Sequence, residues 1–331
     1  MDHPRVKLVA AATPIEHLPR LSEAYGVELY VKRDDLAGVS FGGNKARQLE
    51  YYLGAAMAAQ ADTILITGAV QSNFVRTAAA SAAKFGMRTI VQLEDRVKGM
   101  NDAYHSSGNV FLLEMLGAEI MRYPEGEDEA GADKALRDRA AALQAEGRRP
   151  YVIPLGLGEP PYGAMGYMRA AEEIIETGEK FDMVIVPSGS GLTHAGLLCG
   201  YRNAGDQTPI IGSCVRRAAG LQTARITEVC RNLEALLGHS TGFTPDDIQI
   251  WDGALAPGYG QIGPAAAEVM GRAAREEGLI VDPVYSAKTL TAVPGLVAAG
   301  DIARGSRVLF IHTGGLSAIF AYQDMVREAL A

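Results

Sequence analysis

The sequence is poor in cysteine and has no long apolar run. Three cysteines occur among 331 residues, Cys199, Cys214 and Cys230, and no two of them form a C-x-x-C pair. This spacing argues against a disulfide framework and against a zinc site, so no metal site is expected. No uncharged apolar stretch approaches the roughly 18 residues of a membrane-spanning helix.

Positive charge is also scarce. The chain has 31 Lys and Arg residues against 39 Asp and Glu residues, which gives a net charge of −8. This balance argues against a nucleic-acid surface, which needs a basic patch. The N-terminus carries no apolar run of signal-peptide length. We therefore expect a soluble, cytoplasmic protein that binds neither nucleic acid nor a membrane.

Short apolar runs alternate with helix-forming stretches along the whole chain. Residues 63–67 and 183–186 are typical of buried strands, and apolar residues recur with helical spacing over 46–59. This alternation predicts an α/β protein with two open parallel-sheet domains. We expect a small domain, residues 48–157, inserted into a large domain formed by residues 1–47 and 158–331. A ligand cleft is expected between them.

Some elements are less regular in sequence. Residues 94–107 are polar and are predicted as a loop, in which 99–107 is a candidate substrate-facing segment. Single helices are predicted over 287–299 and 317–330. The acidic pairs 34–35 and 94–95 are interpreted as turn or capping residues. His194 and His312, at strand ends, are interpreted as structural hydrogen-bonding residues.

A loop rich in Gly and Ser follows the strand predicted at 183–186. Glycines allow close backbone approach, and the free N–H groups of a following helix attract an anion. The loop has neither a G-K-[ST] element nor G-x-G-x-x-G spacing, so by itself it is either a phosphate site or a tight turn that binds nothing. Its residues are Ser188, Gly189, Ser190, Gly191, Leu192 and Thr193.

Three other loops fall at or near strand ends, at 42–45, 71–73 and 312–315. In open parallel sheets, ligands bind beyond the carboxyl ends of the strands. Lys45 lies in the first turn of a helix after two glycines. A lone lysine at such a position is usually a solvated surface charge. Because a helix N-terminus is an unfavourable place for a cation, the alternative is a working lysine.

Four segments together resemble the pyridoxal-phosphate (PLP) enzymes of the tryptophan-synthase-β fold (fold type II). They look most like the branch that holds D-cysteine desulfhydrase and 1-aminocyclopropane-1-carboxylate (ACC) deaminase. The resemblance extends over nearly the whole chain and keeps order and spacing. The segments are 42–45 (Gly-Gly-Asn-Lys), 71–73 (Gln-Ser-Asn), 188–193, and 282–285 (Asp-Pro-Val-Tyr).

The resemblance implies a role for each matched cofactor residue. Lys45 matches the lysine that forms a Schiff base with the cofactor aldehyde and then moves a proton. Asn73 matches the residue beside the phenolic oxygen of the ring, and Thr313 the position near the pyridine nitrogen. Residues 188–193 match the cradle for the cofactor phosphate.

Three hydroxyl residues are implied near the substrate. Ser72 and Tyr285 match the pair that holds the substrate carboxylate or passes protons. Tyr259, between two glycines, matches a second active-site tyrosine. The alternative for either tyrosine is an interior aromatic ring whose hydroxyl is satisfied.

The resemblance also implies a reaction, with alternatives. ACC deaminases typically have Glu after the motif tyrosine and Leu in the last turn, where this chain has Ser286 and Thr313. We therefore expect β-elimination on a 3-substituted amino acid, releasing pyruvate, ammonia and the leaving group, which is sulfide for cysteine.

Phe74 stands where desulfhydrases commonly have histidine, so the substrate is left open. The alternatives are L-cysteate, another 3-substituted amino acid, ACC, or a non-catalytic protein that binds PLP. Family members are usually dimers, and a homodimer is expected on that ground.

Overall fold

Ten strands form two separate sheets in the computed structural model, which describes residues 3–331. The strands are β1 (Ile15–His17), β2 (Glu28–Lys32), β3 (Thr63–Ala69), β4 (Arg88–Glu94), β5 (Glu119–Tyr123), β6 (Pro150–Ile153), β7 (Met183–Ser188), β8 (Ile210–Cys214), β9 (Gln249–Trp251) and β10 (Arg307–Ile311).

Helices connect the strands and cover the faces of both sheets. They are α1 (Pro19–Tyr25), α2 (Asn44–Ala58), α3 (Asn73–Lys84), α4 (Asp102–Ser106), α5 (Asn109–Met115), α6 (Glu129–Ala145), α7 (Tyr162–Glu176), α8 (Leu192–Asn203), α9 (Ala219–Leu237), α10 (Pro264–Glu277), α11 (Ser286–Leu290), α12 (Ala292–Ala299), α13 (Leu316–Ile319) and α14 (Gln323–Leu330). None of these helices combines the length and apolar character needed to cross a membrane.

The larger sheet has six strands in the order β1-β2-β10-β7-β8-β9. Every neighbouring pair is parallel except β1 with β2. Alternate residues of β7 enter different cores: Met183 and Ile185 pack on one face, Val184 and Val186 on the other. This division explains the unbroken apolar run, because both faces of the strand are covered by helices.

The smaller sheet has four parallel strands in the order β5-β4-β3-β6. The expectation of an α/β fold with two parallel-sheet domains is confirmed. All four strands lie inside the predicted small domain, 48–157. The boundaries themselves stay a prediction, because α2 spans residue 48 and packs on both α7 and α3.

The first elements, β1 and α1, were not predicted. α1 begins with Pro19 at its first position and ends at Gly26, which has φ +72°. Proline at a helix start and glycine just past its end are the expected boundary signals. β1 has only three residues and adds to the sheet edge in the antiparallel sense.

Two predicted single helices are interrupted. The 287–299 helix divides at Thr291 into α11 and α12. Pro294 lacks an N–H group and cannot donate to the carbonyl four residues earlier, so a continuous helix is disfavoured there. The 317–330 helix contains a 3-10 turn at Phe320–Tyr322.

The segment predicted as a loop at 94–107 contains the short helix α4. Asn101 caps this helix by accepting a hydrogen bond from the Tyr104 backbone N–H at 3.1 Å. An asparagine side chain at this position satisfies a free N–H group of the first turn.

Candidate functional site

An open cavity lies at the carboxyl ends of strands from both sheets. Its walls include the end of β3 and the loops after β7, β8 and β10. This is where ligands bind in open parallel sheets. The predicted residues that line it are Lys45, Ser72, Asn73, Gly189, Ser190, Gly191, Thr193, Tyr259, Tyr285 and Thr313.

The Gly- and Ser-rich loop turns from β7 directly into α8. Gly191 has φ +102°, a backbone conformation that favours glycine. Thr193 is held in place because its Oγ1 accepts hydrogen bonds from Asn44 Nδ2 and Gln48 Nε2, both at 2.9 Å. The first backbone N–H groups of α8 have no partner within the helix. The loop therefore presents a set of donors to the cavity.

Two residues of this predicted cradle do not line the cavity. Ser188 is fully buried, and its hydroxyl contacts His194 Nδ1 at 3.2 Å and Gln222 Nε2 at 2.9 Å. Leu192 packs against apolar side chains and lines a neighbouring cavity. The Ser188 hydroxyl thus belongs to the structural support of the loop, and a contact of either side chain with the cofactor stays a prediction.

Arginines that the sequence did not single out border this loop. Arg216, Arg217 and Arg225 converge on one carboxylate, Glu129, with nitrogen–oxygen distances of 2.9, 2.5 and 3.5 Å. Arg216 also pairs with the exposed Glu127 at 2.9 Å. Even with both carboxylates counted, positive charge is in excess on this wall.

The same guanidinium groups are tied to the loop backbone. Arg217 Nη1 donates to the Gly189 carbonyl at 3.2 Å, and Arg225 Nε donates to the Ser190 carbonyl at 2.8 Å. Burial and the neighbouring arginines lower the pKa of Arg217 and of Arg225. A bound dianion would relieve this repulsion, so the wall fits a phosphate group.

Lys45 is the only one of these cations without a carboxylate partner among the described residues. Its Nζ lies 3.3 Å from Gln48 Oε1 and 5.2 Å from the centroid of the Phe74 ring. Burial lowers the pKa of Lys45 to about 8. The neutral form of this amine is therefore a minority near physiological pH, but it is far more abundant than in an ordinary lysine and can act as a nucleophile or a base.

Ser72 and Asn73 begin α3 opposite the phosphate loop. The Ser72 side chain caps the helix by accepting the Val75 N–H at 3.3 Å. Asn73 Oδ1 accepts a hydrogen bond from Asn109 Nδ2 at 2.9 Å, and Asn109 Oδ1 in turn accepts one from the Ser317 hydroxyl at 2.6 Å. The Asn73 amide nitrogen therefore remains available as a donor.

Tyr259 and Tyr285 meet inside the cavity. Their hydroxyl oxygens are 2.7 Å apart, and their rings pack edge to face with centroids 6.1 Å apart. Burial and the adjacent Tyr259 hydroxyl raise the pKa of Tyr285 well above its ordinary value. Tyr285 therefore keeps its proton and can act as a hydrogen-bond donor.

Asp282 holds the turn that presents Tyr285. Its carboxylate accepts the backbone N–H groups of Val284, Tyr285 and Ser286 at 2.8 to 3.0 Å. The Ser286 hydroxyl is fully buried, 2.6 Å from Asp282 Oδ1 and 2.8 Å from the Gly314 carbonyl. Ser286 therefore supports the site from behind.

Other polar residues have structural partners. His194 Nε2 lies 3.3 Å from the Ile210 carbonyl, and His312 Nε2 lies 2.8 Å from the Ile280 carbonyl, consistent with structural roles. Thr313 lines the cavity, and its carbonyl accepts the Asn44 N–H at 3.1 Å, next to Lys45.

Of the acidic residues interpreted as turn or capping residues, Asp34 does begin a 3-10 turn at Asp34–Leu36, whereas Glu94 ends strand β4 and that interpretation was wrong. Asp34 is fully buried and accepts two hydrogen bonds from Arg47 at 2.9 and 3.0 Å. Glu94 is also fully buried and pairs with Arg96 at 2.7 Å. Both carboxylates are charge partners of arginines.

The candidate substrate-facing segment 99–107 does not bring its aromatic residues to the cavity. Tyr104 is fully buried against Tyr322, with ring centroids 5.4 Å apart, and His105 packs edge to face on Tyr104. The Tyr104 carbonyl accepts a hydrogen bond from Gln71 Nε2 at 2.6 Å. The segment therefore supports residues 71–73 from outside.

The cavity thus combines a free amine, a donor loop and excess positive charge, which suits a phosphorylated aldehyde. Residues 6–314 match the family described as "Pyridoxal-phosphate dependent enzyme". The chain belongs to this family. In PLP enzymes an active-site lysine binds the cofactor aldehyde, and Lys45 is the lysine among the described residues that line this cavity.

Relatives in the family are similar over almost the full chain. A D-cysteine desulfhydrase of Yersinia enterocolitica is 38% identical over 98% of this chain and 97% of its own. A D-cysteine desulfhydrase of Salmonella typhi gives the same values.

Solved structures agree with this assignment. A protein described as an ACC deaminase homologue has a TM-score of 0.89 and 34% identity, covering 99% of this chain and 97% of its own. The diaminopropionate ammonia lyase of Escherichia coli, at 18% identity and TM-score 0.68 over 96% and 86%, shares the fold.

Proposed function

We propose that the protein is a PLP-dependent β-elimination lyase that acts on a 3-substituted amino acid, in the manner of a D-cysteine desulfhydrase. The observation that carries this proposal is the Lys45 amine, which lies in the cavity, has no carboxylate partner within residues 3–331 and has a pKa of about 8. The identity of 38% to D-cysteine desulfhydrases over nearly the whole chain supports the choice of substrate class.

The loop and the arginines hold the phosphate end of the cofactor. When bound, PLP supplies an electron sink for the bonds at the substrate Cα. Backbone N–H groups of residues 189–193 and the excess charge of Arg216, Arg217 and Arg225 would bind the phosphate. Asn73 would hold the phenolic oxygen, and Thr313 would be the neutral partner of the pyridine nitrogen.

Lys45 and the hydroxyl residues carry out the proton transfers. Lys45, neutral in a large fraction of molecules near pH 8, takes the Cα proton. Ser72, at the start of α3, holds the substrate carboxylate with the free N–H groups of that helix. Tyr285, protonated and hydrogen-bonded to Tyr259, protonates the departing group.

Particular residues bear on three alternatives. ACC deaminase activity is disfavoured because Ser286 is buried behind the site and offers no carboxylate. L-Cysteate stays an alternative, because Phe74 lines the cavity where desulfhydrases commonly have histidine. A non-catalytic homologue is disfavoured by the retained Lys45.

The test is product release by the purified protein with added PLP. Pyruvate is assayed with D-cysteine, L-cysteine, L-cysteate, β-chloro-D-alanine and D-serine, and 2-oxobutyrate with ACC. We expect pyruvate and sulfide from D-cysteine, with a Lys45→Ala variant as the inactive control. Turnover of ACC alone would overturn the reaction, and sulfite from L-cysteate as the preferred substrate would overturn the substrate.

We also propose a homodimer in the cytoplasm. Large apolar side chains are exposed on two segments that meet beside the cavity: Leu36 and Phe41 before Lys45, and Leu316 and Phe320 after Thr313. An exposed apolar patch of this kind suits a protein interface. Light scattering should give twice the mass of the chain.

The cytoplasmic location is supported by the three free, buried cysteines, which suit a reducing compartment.

A further inference from the structure

The loop between β9 and α10, residues 252–263, carries Tyr259 without regular secondary structure of its own. Gly258 and Gly260, on either side of the tyrosine, have φ +145° and +71°. Such a segment has many accessible conformations, so a fixed Tyr259 hydroxyl requires contacts from outside the loop.

Lys288 provides such contacts from below. It is fully buried on α11, and its Nζ donates to the Gly258 carbonyl at 2.6 Å and to the Leu255 carbonyl at 3.3 Å. Burial lowers the pKa of Lys288 to about 8, and no carboxylate of residues 3–331 opposes this shift. Burying an amine whose partners are only loop carbonyls costs free energy. This cost is accounted for if the amine serves to hold the loop in one conformation.

The opposite side of the loop is also packed. A Cβ atom built on Gly260 would lie 2.5 Å from Val97 Cγ2 and 3.1 Å from the Tyr322 hydroxyl. Val97 follows the smaller sheet, whereas Lys288 belongs to a helix against the larger one. The residue next to Tyr259 is therefore held between the two halves of the molecule.

Helix α11 contacts both members of the tyrosine pair, Tyr285 directly and Tyr259 through its loop. Tyr285 is the N-cap residue of α11, and Lys288 lies three residues later, about one turn along the same helix. α11 therefore fixes Tyr285 directly and Tyr259 through the carbonyl of the preceding residue. The result is the 2.7 Å separation of the two hydroxyl oxygens.

We propose that Lys288 is a positioning residue, which holds the 255–260 backbone so that the Tyr259 hydroxyl stays beside Tyr285 for proton transfer. The inference rests on the proposed function, in which this pair protonates the departing group. Lys288 itself does not line the cavity and touches neither substrate nor cofactor.

A double-mutant cycle on the enzyme with its cofactor tests this role. Lys288→Met should lower kcat on the order of 10²-fold with little change in KM, because small misplacements of a reacting group are that costly. In a Tyr259→Phe background the same change should lower kcat no further. Lys288→Gln, which keeps an N–H donor on a shorter chain, should recover part of the loss.

Lys32 offers a matched control. It is also a buried lysine, and its Nζ donates to the Thr13 carbonyl at 2.7 Å and to Glu173 Oε2 at 3.3 Å, away from the cavity. Lys32→Met should lower stability, and its effect on kcat should be the same with Tyr259 or Phe present. If Lys288→Met lowers kcat by the same factor in the parent protein and in the Tyr259→Phe background, as expected for Lys32→Met, the positioning role is overturned.

Hydrogen–deuterium exchange gives a readout that does not depend on turnover. Peptides covering 252–263 should exchange faster in Lys288→Met than in the parent protein, while peptides from β7 stay unchanged. Unchanged exchange in the loop would overturn the proposal. If exchange rises but Tyr259→Phe is fully active, the catalytic part of the inference fails together with the role of Tyr259 in the proposed function.

Discussion

Two cations two residues apart on α2 have opposite surroundings. Consecutive helical residues are rotated by about 100°, so Lys45 and Arg47 point to nearly opposite sides. Lys45 faces the cavity with no carboxylate, whereas Arg47 donates four hydrogen bonds to Asp34 and Glu173 at 2.7 to 3.0 Å. Within the described residues, no carboxylate pairs with Lys45 on one side of the helix, whereas two carboxylates neutralise Arg47 on the other.

The surroundings of Arg47 form a closed network. Lys32 Nζ lies 3.3 Å from Glu173, and the Tyr167 hydroxyl donates to Asp34 at 2.6 Å. Two basic and two acidic groups balance. Against the effect of burial, Arg47 and the hydrogen bonds hold the pKa of Asp34 below its ordinary value. Such a network anchors α2, and the free energy that Lys45 costs by desolvation is offset elsewhere on the same helix.

The largest expected effect is on the cavity side. Lys45→Ala should lower kcat for pyruvate release on the order of 10⁴-fold, because both the cofactor-binding amine and the base are removed. Lys45→Arg, which keeps the charge but not a titratable amine, should be equally inactive. Neither variant should lower the free energy of unfolding of the apo-protein in urea, since no ion pair is lost. A large loss of stability would contradict the comparison.

The second effect is on the network side and should appear as stability. Arg47→Met leaves the buried carboxylate of Asp34 and the partly exposed carboxylate of Glu173 without their main partner. It should cost about 3–5 kcal/mol in the free energy of unfolding. The turnover of the molecules that remain folded should change far less than in Lys45→Ala. Adding Asp34→Asn should recover part of the stability, because one unpaired charge is removed. No recovery would show that Arg47 acts through packing rather than charge.

Residues close together in sequence made much of the site predictable. Gly-rich loops at the ends of apolar runs predicted Lys45, Ser72, Asn73 and most of residues 188–193, because in parallel sheets strand ends meet at one edge. These signals are local: a strand, a turn and a helix start lie within about a dozen residues.

The missed residues depend on partners distant in sequence. Glu129 is 87 residues from Arg216, and nothing near either predicts the pair. Asp34 and Asp35 look alike in sequence, but only Asp34 is enclosed by Arg47 and Tyr167. One usable signal for the arginines was in the sequence. Arg216 and Arg217 are consecutive and follow an apolar strand that ends at the same edge of the sheet.

The third effect is the smallest and compares Lys45 with another buried lysine. Burial lowers the pKa of both Lys45 and Lys288 to about 8, but Lys45 reaches the cavity and Lys288 is fully buried. Competitive labelling of the apo-protein with acetic anhydride, read by mass spectrometry, distinguishes the effect of the amine pKa from the effect of reagent access to the amine.

A lowered pKa means that Lys45 loses its proton as pH rises through about 8, so its labelling should rise to about pH 9 and then level off. Lys134, whose side chain is exposed, serves as the reference for the reagent. Lys288 should remain unlabelled at every pH at which the protein is folded. Labelling of Lys45 that still climbed above pH 10 would mean that its ammonium is solvated or paired, and the contrast with Arg47 across α2 would then be lost.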